Sequence, residues 1–398
     1  MSAVKITEGI YSVGINNPNM RVFDIIMKTD SGTSYNSYLV RGSEKTALIE
    51  TCHENFFPQY LENIKEVCPL EEIDYIIMNH NEPDHSGSLA KLMAQMPKAK
   101  LIASQAGSIY LKNITNIDNL DVQKVKDGDT LDLGGRTLTF FFAPNLHWPD
   151  SMFTWAEDAK ILFTCDFLGC HYCEPYTFDT SVAYPKAYDA ALELYYAAIF
   201  GPFASFVRKG LEKIQALPTA PEFICTSHGP VLTKGGKMDE VLAKYQAWSA
   251  PADNKIPVIP VFYTSAYGNT AKLAEKIKEG ILEAKPYAEC ETYDIIEHDM
   301  AQLHALTAFA VGSPTLNRDA VAPVWNLLAG VDAINSARKP AMVFGSFGWT
   351  GEAVGNIQAR LHGLKMNVFG DGFKVTFVPT EEDLEQAKEY GKSFAQSF

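Results

Sequence analysis

Eight consecutive residues, His80-Asn81-Glu82-Pro83-Asp84-His85-Ser86-Gly87, constrain this chain more than any other stretch. The apolar run before them, Ile73 to Met78, reads as a short buried strand. The run from Ser86 to Met93 reads as a helix with a polar start. Two imidazoles and two carboxylates thus fall within six positions of a strand-to-helix turn. Strand alternation would put His80, Glu82 and Asp84 on one face, whereas Pro83 favours a loop that curls around something. So many ligand groups together point to a pair of metal ions; the alternative is a polar turn that binds nothing.

Three further groups stand at the ends of predicted strands. His147 follows the run ending at Phe142, Asp166 closes Ile161-Leu-Phe-Thr-Cys165, and His228 closes Phe223-Ile-Cys-Thr-Ser227 just before Gly229-Pro230. Each by itself is the kind of residue that more often serves structure. They share a location, however, because one edge of a sheet sandwich collects the loops that leave its strands.

The chain's texture changes once along its 398 residues, a length that suits two domains with separate cores. Up to about residue 250, short strands at 9–14, 35–40, 46–50, 73–78, 100–103, 130–133, 137–142 and 222–225 are joined by helices predicted near 54–67, 86–95, 187–216 and 238–248. Strands in two groups with helices outside fit an α/β sandwich of two packed sheets. Residues 249–255, Ser-Ala-Pro-Ala-Asp-Asn-Lys, have linker composition. Beyond them, strands near 256–263, 288–294, 307–312, 340–345 and 374–378 alternate with helices near 269–283, 320–329, 351–362 and 381–396, the rhythm of a doubly wound parallel sheet. The expected division is residues 1–250 and 251–398.

Composition removes some classes of function. A formal charge of −14 argues against nucleic-acid and anionic-membrane partners. The sequence reading finds no apolar run of the roughly 18 residues that span a membrane, and no basic, then apolar, secretory leader at the start. Seven scattered cysteines suit a reducing cytoplasm. The pair Cys170 and Cys173 has CxxC spacing, open to a redox or zinc role, although buried or loop thiols are the favoured reading. No second CxxC completes a four-thiolate set for an iron–sulfur or rubredoxin-like module.

In the second half, the run from Lys255 to Tyr263 leads into Thr264, Ser265, Ala266, Tyr267, Gly268, Asn269 and Thr270, then a helix. Hydroxyls, an amide and the helix N-terminus suit one phosphate. There is no GxxxxGK[ST] for a triphosphate and no GxGxxG for a dinucleotide. Two later loops also follow strands: Ser313-Pro314-Thr315-Leu316-Asn317, and Ser346-Phe347-Gly348-Trp349-Thr350-Gly351. Ligands of such sheets bind at those strand ends. The first loop resembles the phosphate loop of flavodoxins, which hold FMN; Tyr267 and Trp349 are the candidates to stack on its ring.

The set His80, Glu82, Asp84, His85, His147, Asp166 and His228 resembles the metal motif of the metallo-β-lactamase superfamily, H-x-H-x-D-H, with Glu82 in place of the second histidine. That variant, joined to a flavodoxin-like domain, resembles the flavodiiron proteins, or A-type flavoproteins. Three carboxylates against the four charges of two ferrous ions come to neutrality with one hydroxide, which a buried site favours. An oxygen-and-imidazole set suits iron, and an imidazole at position 82 would favour zinc.

The resemblance implies an αββα domain followed by the flavodoxin-like one. It also implies one iron on His80, Glu82 and His147, the other on Asp84, His85 and His228, and Asp166 between them, with His85 the ligand some relatives displace. The implied reaction is reduction of O2 to water, NO to N2O, or both. Electrons would come from FMN of a neighbouring subunit in a head-to-tail homodimer or dimer of dimers, supplied by a rubredoxin, another small redox protein or a reduced deazaflavin. The family often has a histidine near the site where this chain has Asp24; His171 and Tyr172 are either neighbours of the pocket or plain loop residues. Two rivals stay open: a metallo-hydrolase fused to a flavodoxin module, and an electron-transfer flavoprotein whose first domain is only a scaffold.

Overall fold

The computed structural model describes residues 2–24, 27–251, 256–296, 306–331 and 333–398. The chain divides into two compact units, Met1–Ala250 and Pro251–Phe398.

Among the described residues of the first unit, seven strands form one sheet in the order Val4–Thr7, Ile10–Ser12, Tyr38–Arg41, Thr46–Ile49, Tyr75–Met78, Lys100–Ala103 and Val122–Lys124. Six form another: Thr130–Asp132, Thr137–Phe142, Met152–Ala156, Ile161–Cys165, Phe223–Thr226 and Leu232–Thr233. Strand periodicity divides their side chains between two cores. Ile161 and Phe163 point between the sheets, where they meet Tyr38, Ile49 and Ile77, while Leu162 turns outward. There Val207 and Leu211 of helix Ala204–Gln215 and Tyr245 of helix Met238–Trp248 cover it. On the other outer face, Leu48 and Ile76 pack on Tyr60 and Ile64 of helix Phe57–Lys65 and Leu92 of helix Leu89–Gln95. A strand buried on both faces reads as a continuous apolar run, and each such phenylalanine contributes about 2 kcal/mol by leaving water. Helices outside two stacked sheets make an αββα sandwich.

The second unit's described strands are all parallel. Their order is Thr292–Asp294, Val261–Tyr263, Phe309–Pro314 and Pro340–Phe347; Asn367–Val368 and Phe373–Thr376 both pair with the last of these. By sequence this is the 2-1-3-4-5 order of a flavodoxin-like fold. Helices Asn269–Ala284 and Glu381–Gln396 cover one face through Ile277 and Phe394, and Ala322–Ala329 and Glu352–Gly363 cover the other through Val324 and Ile357.

Several elements differ from the sequence expectation. Pro83 opens a one-turn helix, Pro83–Ser86, instead of a loop, because its fixed φ suits a first helical position. The strand expected over 256–263 is confined to Val261–Tyr263, since Pro257 and Pro260 donate nothing to a ladder. Residues 252–255 of the expected linker lie outside the described residues. Helix Gln105–Thr115, absent from the sequence reading, begins at Ser104, whose hydroxyl accepts the Gly107 N–H.

The expected helix over 187–216 is a 31-residue helical run, Pro185–Gln215, holding a π turn at Tyr196–Phe200 and a 3-10 turn before Ala204. By length and composition this run is apolar enough to cross a membrane, with a window of mean hydropathy 1.4, so the expectation that no such run exists is corrected. Its apolarity comes from residues such as Tyr188, Leu192, Tyr195 and Phe200, which fill the first unit's outer core.

Candidate metal centre and flavin loops

All seven side chains of the expected metal set converge at one edge of the sandwich, in two groups. His80, Glu82, His147 and Asp166 form one, and Asp84, His85 and His228 the other. Strand Tyr75–Met78 delivers the first four positions of the motif. The one-turn helix carries Asp84 and His85 around the corner, so they face a different point from His80 and Glu82. The second sheet supplies the rest: His147 ahead of Met152–Ala156, Asp166 after Ile161–Cys165 and His228 after Phe223–Thr226. Gly229 ends that last turn with φ +80°, and a Cβ there would sit 2.9 Å from Cys170.

Asp166 is shared between the groups. Its Oδ2 lies 3.4 Å from His80 Nε2 and 3.2 Å from His147 Nε2, while its Oδ1 lies 3.0 Å from His85 Nε2 and 3.5 Å from His228 Nε2. Glu82 Oε2 stands 3.2 Å from His80 Nε2 and 3.0 Å from His147 Nε2. Asp84 mirrors it, with Oδ1 3.3 Å from His85 Nε2 and Oδ2 3.1 Å from His228 Nε2.

Burial makes the set electrostatically demanding. It opposes protonation of His85, yet Asp84 and Asp166 prevail and raise the imidazole to about 10. Burial likewise works against protonated His80, and Asp150, Glu82 and Asp166 outweigh it, holding the group well above its ordinary value. Burial would raise Asp166, but His85 and His147 drive it well below the carboxylate range. The cluster therefore holds positive charge strongly, and protons are one form of it. A metal ion is the other. Among the described residues, both Asp84 oxygens, Asp166 Oδ1 and His85 Nε2 are buried and make no hydrogen bond, as befits lone pairs that could meet a cation.

A surrounding layer carries groups that the sequence reading did not single out. Glu50, fully buried at the end of strand Thr46–Ile49, accepts the N–H groups of Asn79 and His80 at 2.7 and 3.1 Å. Asp150 accepts the Asn81 N–H at 2.8 Å. His228 Nδ1 donates to the Ser34 carbonyl at 2.6 Å. A lone carboxylate closing an apolar strand was the available signal for Glu50.

The residues left open by sequence separate cleanly. His171 packs on His228 and Tyr195 and makes a 2.9 Å hydrogen bond with the Thr33 hydroxyl; burial and His228 push it well below the usual imidazole value. Tyr172 turns away to Tyr188 and Glu174. Asp24, with φ +47°, reaches the set: burial, Glu82 and Asp84 raise its carboxyl to about 6. Cys170 and Cys173 are free thiols, and burial raises Cys173 to about 11, far from a reactive thiolate.

In the second unit the three expected flavin loops follow adjacent strands, Val261–Tyr263, Phe309–Pro314 and Pro340–Phe347. Thr264, Thr270, Ser313 and Ser346 are buried at their base, with Thr270 and Ser346 hydroxyls 2.9 Å apart and the Thr315 N–H bonded to the Ser346 carbonyl. Gly268 takes φ +80° and starts helix Asn269–Ala284. Ser265 Oγ, beside that N-terminus, has no partner among the described residues. Tyr267 and Trp349 are 90% and 95% exposed, and Leu316 is exposed beside Asn317 at φ +52°. Bare aromatic planes and a free hydroxyl at a helix N-terminus fit a phosphate-bearing aromatic ligand.

Fold and site together define a metallo-β-lactamase-like protein with a double carboxylate–imidazole centre, joined to a flavodoxin-like domain. Comparison with known proteins agrees. Residues 33–229 match the family described as ODP family beta lactamase, and residues 261–391 match flavodoxin. The chain is 52% identical to flavo-diiron protein FprA2 of Clostridium acetobutylicum over all of both chains. It is 31% identical to the anaerobic nitric oxide reductase flavorubredoxin of Aeromonas hydrophila, covering all of this chain and 80% of that one. Rubredoxin oxygen:oxidoreductase of Desulfovibrio gigas superposes with a TM-score of 0.73 at 30% identity, covering 100% and 98% of the two chains.

The chain belongs to the flavodiiron family. Proteins of that family are oxidoreductases that bind FMN and a diiron centre, and this chain carries a flavodoxin domain and a cluster able to hold metal.

Proposed function

We propose that this chain reduces O2 to water, NO to N2O, or both, at a non-haem diiron site fed by FMN. The observation that carries the reading is the division of Asp166, one oxygen to each group of ligands. His80, Glu82 and His147 would hold one iron, Asp84, His85 and His228 the other, with Asp166 common to both. Thr264, Ser265, Asn269 and Thr270 would hold the FMN phosphate, with Tyr267 and Trp349 beside its ring. When bound, two ferrous ions and reduced FMN together supply four electrons, the number that takes O2 to two waters, while two suffice to couple two NO molecules.

The chain's own residues set the conditions for this. Glu82, Asp84 and Asp166 compensate the charge of two cations inside a site from which His80, His85 and His228 are closed to solvent. His171 and Tyr195 wall the His228 side and exclude water there. A head-to-tail homodimer, alone or paired, would bring the FMN of one chain to the irons of the next. A rubredoxin, another small redox protein or a reduced deazaflavin would supply the electrons in the cytoplasm.

Stopped-flow mixing of the reduced, iron- and FMN-loaded protein with each gas tests the proposal. Consumption of O2 or NO is expected. Consumption of neither overturns it, and two bound zinc ions with thioester hydrolysis would replace it with a hydrolase.

A further inference from the structure

Three of the centre's four imidazoles, His80, His85 and His228, are backed unequally. Asp150 Oδ2 lies 3.5 Å from His80 Nδ1, an ion-pair rather than a hydrogen-bond distance, with both groups fully buried; among the described residues that nitrogen makes no hydrogen bond, and this carboxylate is the charge that stands behind it. The carboxylate is itself held in place. Its Oδ2 takes the Asn81 N–H at 2.8 Å, and the Asp150 carbonyl takes the Ser104 hydroxyl at 2.8 Å. In the other group, His228 Nδ1 meets only neutral groups, the Ser34 carbonyl at 2.6 Å and the Thr33 hydroxyl at 3.2 Å, and His85 Nδ1 has no partner among the described residues.

We infer that Asp150 is a positioning residue that makes the two metal sites unequal. An imidazole whose far N–H faces a carboxylate is oriented and becomes a stronger donor to its metal, whereas one facing a carbonyl gains less and one facing nothing gains none. The metal on His80 is therefore the more tightly held and the more electron-rich of the two. Asp150 acts through His80 and touches no metal itself.

The inference rests on the two-iron reading above, yet turnover is not its readout. A protein that binds two irons unequally and consumes neither gas ends that reading and leaves this one standing.

The test is anaerobic titration with ⁵⁷Fe(II), followed by Mössbauer spectroscopy and chelator competition, on the FMN-loaded full chain. Wild type is expected to show two distinct doublets and two affinities. Asp150→Asn keeps an oxygen for the Asn81 N–H but removes the charge behind His80. It is expected to move one doublet only and weaken one iron about 10–100-fold. Thr33→Val, on the His228 side, is expected to leave that doublet where it is. Unchanged doublets and affinities in D150N, or equal shifts of both, overturn the inference. A second measurement needs no variant: in the cobalt(II)-loaded wild type, the His80 Nδ1–H, faced by Asp150, is expected to exchange more slowly than the His85 Nδ1–H, which no carboxylate faces. Equal rates for these two, or faster exchange at His80, overturn it as well.

Discussion

His85 Nε2 stands 3.0 Å from Asp166 Oδ1, while the opposite nitrogen of the same ring, Nδ1, is buried without a partner among the described residues. His85 is thus held from the metal side alone, whereas Asp166 belongs to both groups. Asp166→Ala is expected to empty both sites, and His85→Ala to weaken one metal only, by roughly 10–100-fold. Iron content after gel filtration in chelator separates the two outcomes; equal losses would contradict the sharing of Asp166.

Glu82 gives the first group its own negative charge, 3.0 Å from His147 Nε2. Glu82→His would remove that charge and add a nitrogen, a change that favours zinc over iron. Protein expressed with both metals supplied is expected to show a several-fold rise in the ratio of zinc to iron by elemental analysis. An unchanged ratio would mean that position 82 does not set the preference.

The metal-free protein should lose stability as pH rises. Burial raises Glu50 to about 8, and His85 is raised to about 10 by Asp84 and Asp166 against burial. A group whose folded value is raised contributes stability below its unfolded value and loses it as pH climbs through the folded one. For Glu50 that window runs from about 4.5 to about 8, and for His85 from 6.5 to about 10. The melting temperature of metal-free wild type is expected to fall by at least about 4 °C from pH 5 to 8.5, and that of Glu50→Gln by clearly less. Loading with metal should flatten the curve, because the cations replace the protons. A rising profile in the metal-free protein would refute the argument.

Trp349, 95% exposed in a glycine-rich turn, has little to do for the fold. If it stacks on the flavin ring, Trp349→Ala should weaken FMN binding roughly 3–10-fold with no change in melting temperature of the flavin-free protein. Fluorescence titration with FMN measures the first and calorimetry the second.

The convergence of the seven side chains was legible in the sequence because five of them follow apolar strand runs, whose direction tells which edge a residue reaches, and the other two, Asp84 and His85, lie in the same short turn as His80 and Glu82. The flavodoxin-like order was legible for a similar reason: its strands alternate with long amphipathic helices. Pro83 misled because proline is both a strand breaker and a favoured helix opener, and local sequence does not choose between them. Helix Gln105–Thr115 had a signal, Ser104 placed to cap the Gly107 N–H, that its mixed composition obscured. Asp150, Ser34 and Thr33 could not be read at all. Their roles depend on which imidazole each meets across 70 to 195 positions of sequence, a matter of tertiary approach.

One consequence of the edge location concerns the sandwich itself. Glu82, Asp84 and His85 follow a strand of one sheet, and His147, Asp166 and His228 adjoin strands of the other, so ions held by them would act as a clasp joining two leaves along a single margin. Stripping them would leave the opposite margin closed and let this one gape. Amide exchange in metal-free protein should accordingly quicken near 80–86, 145–150 and 227–229 well before it does in strand Thr137–Phe142.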